Sequence, residues 1–296
     1  MYCVAYEQTI WHADLSTQKS QRRIIVNFTK TLIAFMALGL IFYLCERILG
    51  NRRRAFVLRS GVGVDTVYFF TANFVKLFTK ALLVVPFIVL FAFHVTTPEE
   101  VRASMYHGCG PVLNQPRWLQ ALEIYLLVDF SGYWIHRLFH TGGWWPFHAV
   151  HHSSQDLDWL SSVRVHPIND VVDKIAQTVP VLLLGFDPYT TAGTTVFFTF
   201  YAIFLHADVN WDFGPLRSLI ATPVFHRWHH SKDPEAIDKN FAGLLPLWDV
   251  LFGTYYMPRD RMPQNFGATE PVPKGYFGQL WHPFAHFLRR KKPPFR

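Results

Sequence analysis

The chain has 296 residues, half of them apolar and 17% aromatic, and its charged fraction of 17% lies well below the roughly 25% of ordinary soluble domains. Its mean hydropathy is only slightly positive, which excludes a chain lying wholly in the bilayer and leaves polar mass outside the hydrocarbon. The net charge of +7 includes runs such as Arg52, Arg53, Arg54 and Arg289, Arg290, Lys291, Lys292. Beside apolar segments, such runs mark cytoplasmic loops or contacts to anionic headgroups and argue against a nucleic-acid partner.

The first apolar run, residues 24–45, follows a polar N-terminus without a small-residue cleavage site and reads as an anchor, not a cleaved signal peptide. Further apolar stretches lie at 64–95 and 118–140. A region at 171–206, broken by Gly185, Asp187 and Pro188, reads as a helical hairpin entering or crossing the membrane. A span needs about 20 apolar residues, which each of these can supply. Arg47, Arg52, Arg53, Arg54 and Arg59 place the first loop in the cytoplasm, and counting from there brings every histidine-rich segment to that side. Cys3, Cys45 and Cys109 are scattered and form neither a disulfide framework nor a zinc site.

Ten of the fifteen histidines fall between His136 and His230. In the third stretch Asp129, Tyr133, His136 and His140 occupy offsets that share a ~60° arc of a helix face. Ionisable groups in such a segment are costly unless they face a site. His148, His151 and His152 follow at i, i+3, i+4 behind Pro146. His226, His229 and His230 repeat that pattern 78 residues later, behind Pro223 and a Thr222 N-cap. Two of each three imidazoles can bind one ion while the third reaches a neighbouring ion. Eight histidines exceed what one tetrahedral zinc takes, so two ions are implied, and imidazole alone leaves iron, zinc, copper and nickel open.

These boxes, His136-Arg-Leu-Phe-His140, His148-Ala-Val-His-His152 and His226-Arg-Trp-His-His230, come with Asn240-Phe-Ala-Gly243 and Trp248-Asp-Val-Leu-Phe-Gly-Thr254. Together they make the chain resemble the fatty acid hydroxylase and sterol desaturase superfamily of membrane di-iron oxygenases, in particular its bacterial members. The resemblance implies an all-α fold in which about four membrane spans or hairpin segments carry a cytosolic helical cap with a histidine-ligated dimetal site. It implies two iron ions, O2 as co-substrate, a membrane lipid as substrate and an external electron donor such as a reductase, ferredoxin or cytochrome. Residues 1–116 would anchor the chain, 117–258 would form the di-iron domain, and 259–296 a basic tail.

By the same resemblance His136, His140, His148, His151, His152, His226, His229 and His230 are metal ligands, joined by His206 at the end of the hairpin. Where some relatives place a further histidine, this chain has Asn210, a candidate water or metal contact. Asp129 is expected to orient a ligand imidazole, and Asp249 either to act likewise or to cap the turn before Gly253. His166 could ligate or stabilise the cap, while His12, His94, His107, His282 and His286 lie outside all motifs. The implied reaction is hydroxylation of a fatty acyl chain, a polar acyl lipid such as an ornithine lipid, or a sterol. Desaturation by the same site is the first alternative. A membrane zinc-binding or transport protein is the alternative of another class; a zinc hydrolase is disfavoured by the lack of HExxH and of a serine nucleophile motif.

Overall fold

A computed structural model describes residues 27–50, 59–92, 97, 99–100 and 111–290. His12, His94, His107, Cys3, Cys109 and the arginines at 52–54 therefore lie outside the described residues. Among those described there is no strand, only an isolated bridge between Ser231 and Phe266. The helices are α1 (Asn27–Leu49), α2 (Val62–Ala92), α3 (Arg117–Phe139), α4 (Trp145–His152), α5 (Pro167–Leu184), α6 (Pro188–His206), α7 (Pro223–His229), α8 (Leu247–Leu251) and α9 (Tyr276–Arg290).

The chain divides into two compact units, Met1–Leu44 and Cys45–Arg296. In the first, the described residues belong to α1, whose apolar side chains are largely exposed. Among the described residues α1 alone is long and apolar enough to cross a membrane by composition. The other long helices carry interruptions that lower their hydropathy: Asn73 and Lys76 in α2, Glu123 and Asp129 in α3, and Asp170, Asp173 and Lys174 in α5.

In the second unit α3 packs against α5 and α6. The residues that break the 171–206 region form the corner of the hairpin. Gly185 closes α5 with φ 71°, a left-handed conformation that only glycine adopts freely, and Asp187 caps α6 by accepting from the Thr190 N–H at 2.8 Å. The Asp187 N–H donates to Gln120 Oε1 at 2.8 Å, which ties the corner to α3. Ile124, Val181 and Phe186 pack together there. Along α3, Trp118, Leu122, Leu126, Phe130, Trp134 and Leu138 recur every four residues, and all are exposed. The opposite side buries Gln120, Ile124, Asp129, Tyr133 and Phe139.

The chain after α6 forms a cap on the end of α3. Its core gathers Tyr133, Leu205, Val224, Phe225, Trp228 and Phe241. Arg59, read from sequence as a topogenic loop charge, is instead buried: its guanidinium pairs with Asp158 and, at 2.7 Å, with Asp65. Asp65 also holds Arg164 at 2.5 Å. Such a charge can be buried only because each partner neutralises it. The segment beyond 259 is more than a tail, since α9 forms within it despite Pro283.

Candidate metal centre

The second turn of α4 and the whole of α7 are built from the repeated histidine pattern. Pro146 and Pro223 sit in the first turns, where a missing N–H costs nothing, and the Thr222 hydroxyl accepts from the Phe225 N–H at 3.1 Å. Both short helices present their three imidazoles to the end of α3, and His206 arrives at the last residue of α6.

All nine histidines singled out from sequence and resemblance meet in two groups. His136, His140, His148, His152 and His229 form one; His151, His206, His226 and His230 form the other. Within each, the candidate ligand nitrogens lie within 4.8 Å of one another. Each repeat divides two to one. His148 and His152 join the first group while His151 crosses to the second, and His226 and His230 join the second while His229 crosses to the first. Where the groups meet, the rings of His152 and His230 stack with centroids 4.3 Å apart.

The hydrogen bonds fix what these rings can do. His136 Nδ1–H donates to the Phe241 carbonyl at 2.8 Å, and His148 Nδ1–H to Asn169 Oδ1 at 2.7 Å. Asn169 is set in that orientation because its Nδ2 donates to Asp173 at 2.8 Å. With the proton on Nδ1, each Nε2 carries a lone pair, yet the two Nε2 atoms face each other at 3.0 Å. Two lone pairs at that distance repel unless a cation lies between them.

The second group repeats the situation. His151 donates to the Arg164 carbonyl at 3.1 Å and His206 to the Ala202 carbonyl at 2.8 Å, and their Nε2 atoms are 3.2 Å apart. His229 donates to the Lys239 carbonyl at 2.7 Å and turns its Nε2 to His152 at 3.0 Å. His140 Nδ1 meets Asp238 at 3.0 Å, and its Nε2 is buried without a partner. Two nitrogens at right angles on one ion, each bonded at about 2.1 Å, would be about 3.0 Å apart. The residues fit two metal ions.

Burial, reinforced by the neighbouring imidazoles, holds His148, His151, His152, His226, His229 and His230 well below the ordinary histidine range. They are neutral at pH 7, the form that ligates a metal. Aromatic rings close over the first group: Trp145 lies 5.1 Å from His140 and 5.4 Å from His152, and Phe241 5.0 Å from His140.

Asp129 and Asp249 do not touch an imidazole. Asp129 accepts from the N–H groups of Leu244 and Leu245 at 2.7 and 2.8 Å and from the Trp248 indole at 2.9 Å. Asp249 accepts from Phe241 and Ala242 N–H at 2.8 and 2.9 Å and from Thr254 Oγ1 at 2.6 Å. Each bonded three times to this loop and its flanks, they act on the histidines only at one remove, through the Phe241 carbonyl that holds His136. The side chain of Asn240, whose φ is 60°, bridges Phe225 and Tyr256 and so pins the other end of the loop.

His166 belongs to neither group. It accepts from Ile168 N–H as the N-cap of α5 and donates to the Leu280 carbonyl at 3.1 Å. Asn210 lines a cavity of about 360 Å³ with Gln155, Asp208, Arg227 and Gln264. Arg227, inside the last box, pairs with Asp208, two residues beyond His206. His282 and His286 flank Glu270 at 3.5 and 3.8 Å. Asn169, Asp238 and Arg164 were not recognisable from sequence, because no spacing distinguishes an acceptor that faces a ligand ring from any other polar residue.

Residues 121–254 match the fatty acid hydroxylase family, and this segment and the relatives it finds support a place in the fatty acid hydroxylase and sterol desaturase superfamily. Among its relatives is the ornithine lipid hydroxylase of Rhizobium tropici, 32% identical over 185 residues that cover 60% of this chain and 56% of that protein. Human alkylglycerol monooxygenase is 34% identical over half of this chain and 33% of its own length. A putative methylsterol monooxygenase of Dictyostelium discoideum is 24% identical over 60% of this chain and 64% of its own. The chain thus matches only about a third to two thirds of the length of these relatives. No solved structure matches.

Proposed function

We propose that the chain is a membrane-bound, non-haem di-iron monooxygenase that hydroxylates a lipid with O2. The observation that carries this reading is the pair of facing imidazole lone pairs, one in each buried group, whose repulsion a metal ion in each group would relieve. Bound iron would supply the oxidising power for an unactivated C–H bond, which no side-chain acid or base possesses. The chain's own residues do the rest. Nine imidazoles would hold the ions, the Nδ1 hydrogen bonds fix tautomer and ring angle, and Trp145 and Phe241 exclude water from one side.

The named activities of all three relatives insert oxygen, which favours hydroxylation over desaturation. The first two act on lipids with polar heads, so we place the substrate among polar acyl or alkyl lipids ahead of sterols. The exposed apolar row along α3 supports a lipid-facing helix beside the cap, in a multi-pass chain with its histidines on the cytoplasmic side of a bacterial inner membrane. An external reductase, ferredoxin or cytochrome would deliver the electrons.

The test is lipid mass spectrometry of cells carrying the intact gene or its His151→Ala variant, grown under isotopically labelled dioxygen. One labelled oxygen atom in a lipid only with the intact gene is the expected result. Loss of two hydrogens instead would identify a desaturase. Protein purified without oxygen should hold two irons per chain; bound zinc with no lipid change would identify a zinc-binding protein and sink the oxygenase reading.

A further inference from the structure

From α9 we infer a second, surface anchor: the helix lies in the headgroup plane of an anionic phospholipid membrane with its apolar stripe toward the acyl chains. The inference rests on the membrane reading above but not on any oxidation chemistry. Phe277, Trp281, Phe284 and Leu288 stand at offsets 0, 4, 7 and 11 and share a ~60° arc of the helix. All four are exposed, Phe277 by 82%. Four large apolar side chains in one open row are not an ordinary solvated surface; they mark an interaction face.

The rest of the helix is held in place, so the row has nowhere to fold. Gln279 is buried and donates to the Pro273 carbonyl at 3.0 Å. The Leu280 carbonyl receives His166, and the Tyr276 ring meets Tyr68 of α2 edge-on at 4.8 Å. Phe287 lies against Phe147, at 5.9 Å between centroids, and beside Gly143. These contacts place α9 at the corner where α3 ends. There the outward row of α3 finishes in Trp134 and Leu138, and Trp144 is again exposed.

Charge selects the occupant. From Tyr276 to Arg296 the sequence has Arg289, Arg290, Lys291, Lys292 and Arg296 and neither Asp nor Glu. A second copy of the same face would bring like charges together, whereas an anionic leaflet attracts them while the apolar row inserts. Amphipathic helices bound to such membranes combine these two features.

The test uses the full chain in nanodiscs, with Cys3, Cys45 and Cys109 changed to Ser and one spin label at a time on Phe277→Cys, Trp281→Cys or Leu288→Cys, and on Lys274→Cys as a water-facing reference. Monodisperse elution and unchanged helical circular dichroism check the fold of each variant. In discs containing phosphatidylglycerol, the ratio of oxygen to nickel-chelate collision should be several-fold higher at the three stripe positions than at Lys274→Cys. In pure phosphatidylcholine, or with Arg289, Arg290, Lys291 and Lys292 changed to Gln, the ratio should fall. Equal accessibility at all four positions would overturn the anchor. So would dipolar broadening between labels on two copies, which would make the stripe a protein interface. A depth indifferent to lipid charge would overturn the choice of anionic lipid. None of these readings depends on lipid oxidation, so the anchor and the activity can fail separately.

Discussion

The two histidine groups draw on the same repeated segments, yet their rings are steadied differently. In the five-histidine group His136, His140, His148 and His229 each point Nδ1 at a fixed acceptor: Phe241, Asp238, Asn169 and Lys239. In the four-histidine group His151 and His206 do so, while Nδ1 of His226 and of His230 is buried without a partner. The cap loop and Asn169 of α5 preset the first group. The second is left to be ordered by what it binds, so the first should hold its ion more tightly.

Ligand deletion tests this most directly. His148→Ala and His226→Ala are each expected to lower product formation by more than about 100-fold, beyond what loss of an orienting partner costs. Their metal contents should differ: the first retains more than one ion per chain after dialysis, and the second keeps about one. Equal losses would erase this difference between the two groups.

Acid should reach the metal-free protein next. The six histidines of the α4 and α7 boxes are held neutral when folded, with pKa values well below those of the unfolded chain, which takes up protons near pH 6.5. Stability from this source is therefore full above about pH 6.5 and declines below it, each histidine contributing up to about 1.4 kcal/mol per pH unit. Thermal unfolding of apo and iron-loaded protein from pH 7.5 to 5 checks this; the loaded form should resist until protons displace the metal.

Asp249→Asn removes a charged acceptor from three donors behind Phe241 and should cost about 2–4 kcal/mol, read as a lowered unfolding temperature. Asn169→Leu strips His148 of its acceptor and should weaken one ion by roughly 10–100-fold in chelator competition, sparing the other. Thr222→Ala, which uncaps α7, should cost only about 1 kcal/mol. Because α7 feeds both groups, that variant should loosen both ions alike.

Much of the site was legible because the i, i+3, i+4 spacing puts three imidazoles on one side of a short helix whatever surrounds it. Which of the three crosses to the other ion was not legible, since that depends on the angle at which α4 and α7 meet α3. His206 was found only by resemblance; one histidine at a helix end has no pattern of its own. Asp129 was seen as important for the wrong contact, because sequence shows a carboxylate on the histidine face but not the loop that would claim it. Main-chain acceptors such as Phe241, Lys239 and Arg164 were invisible, as every residue has a carbonyl. The hairpin was readable from Gly185, Asp187 and Pro188. In contrast, α9 was hidden by Pro271, Pro273 and Pro283, which argue for coil until the packing of Phe287 and Gln279 is known.

The grip of Asp129 on Leu244 and Leu245, 115 and 116 residues later, sets an order of assembly. On the ribosome, α3 is made and released long before its partner loop exists, and His136 must wait as long for the Phe241 carbonyl. Such distant closure is slow. Chains truncated before residue 241 should leave the His136 imidazole unsteadied, so iron would enter a finished chain more readily than a nascent one. A pulse-labelled cell starved of iron and then resupplied should accordingly accumulate full-length protein that gains its metal without new synthesis.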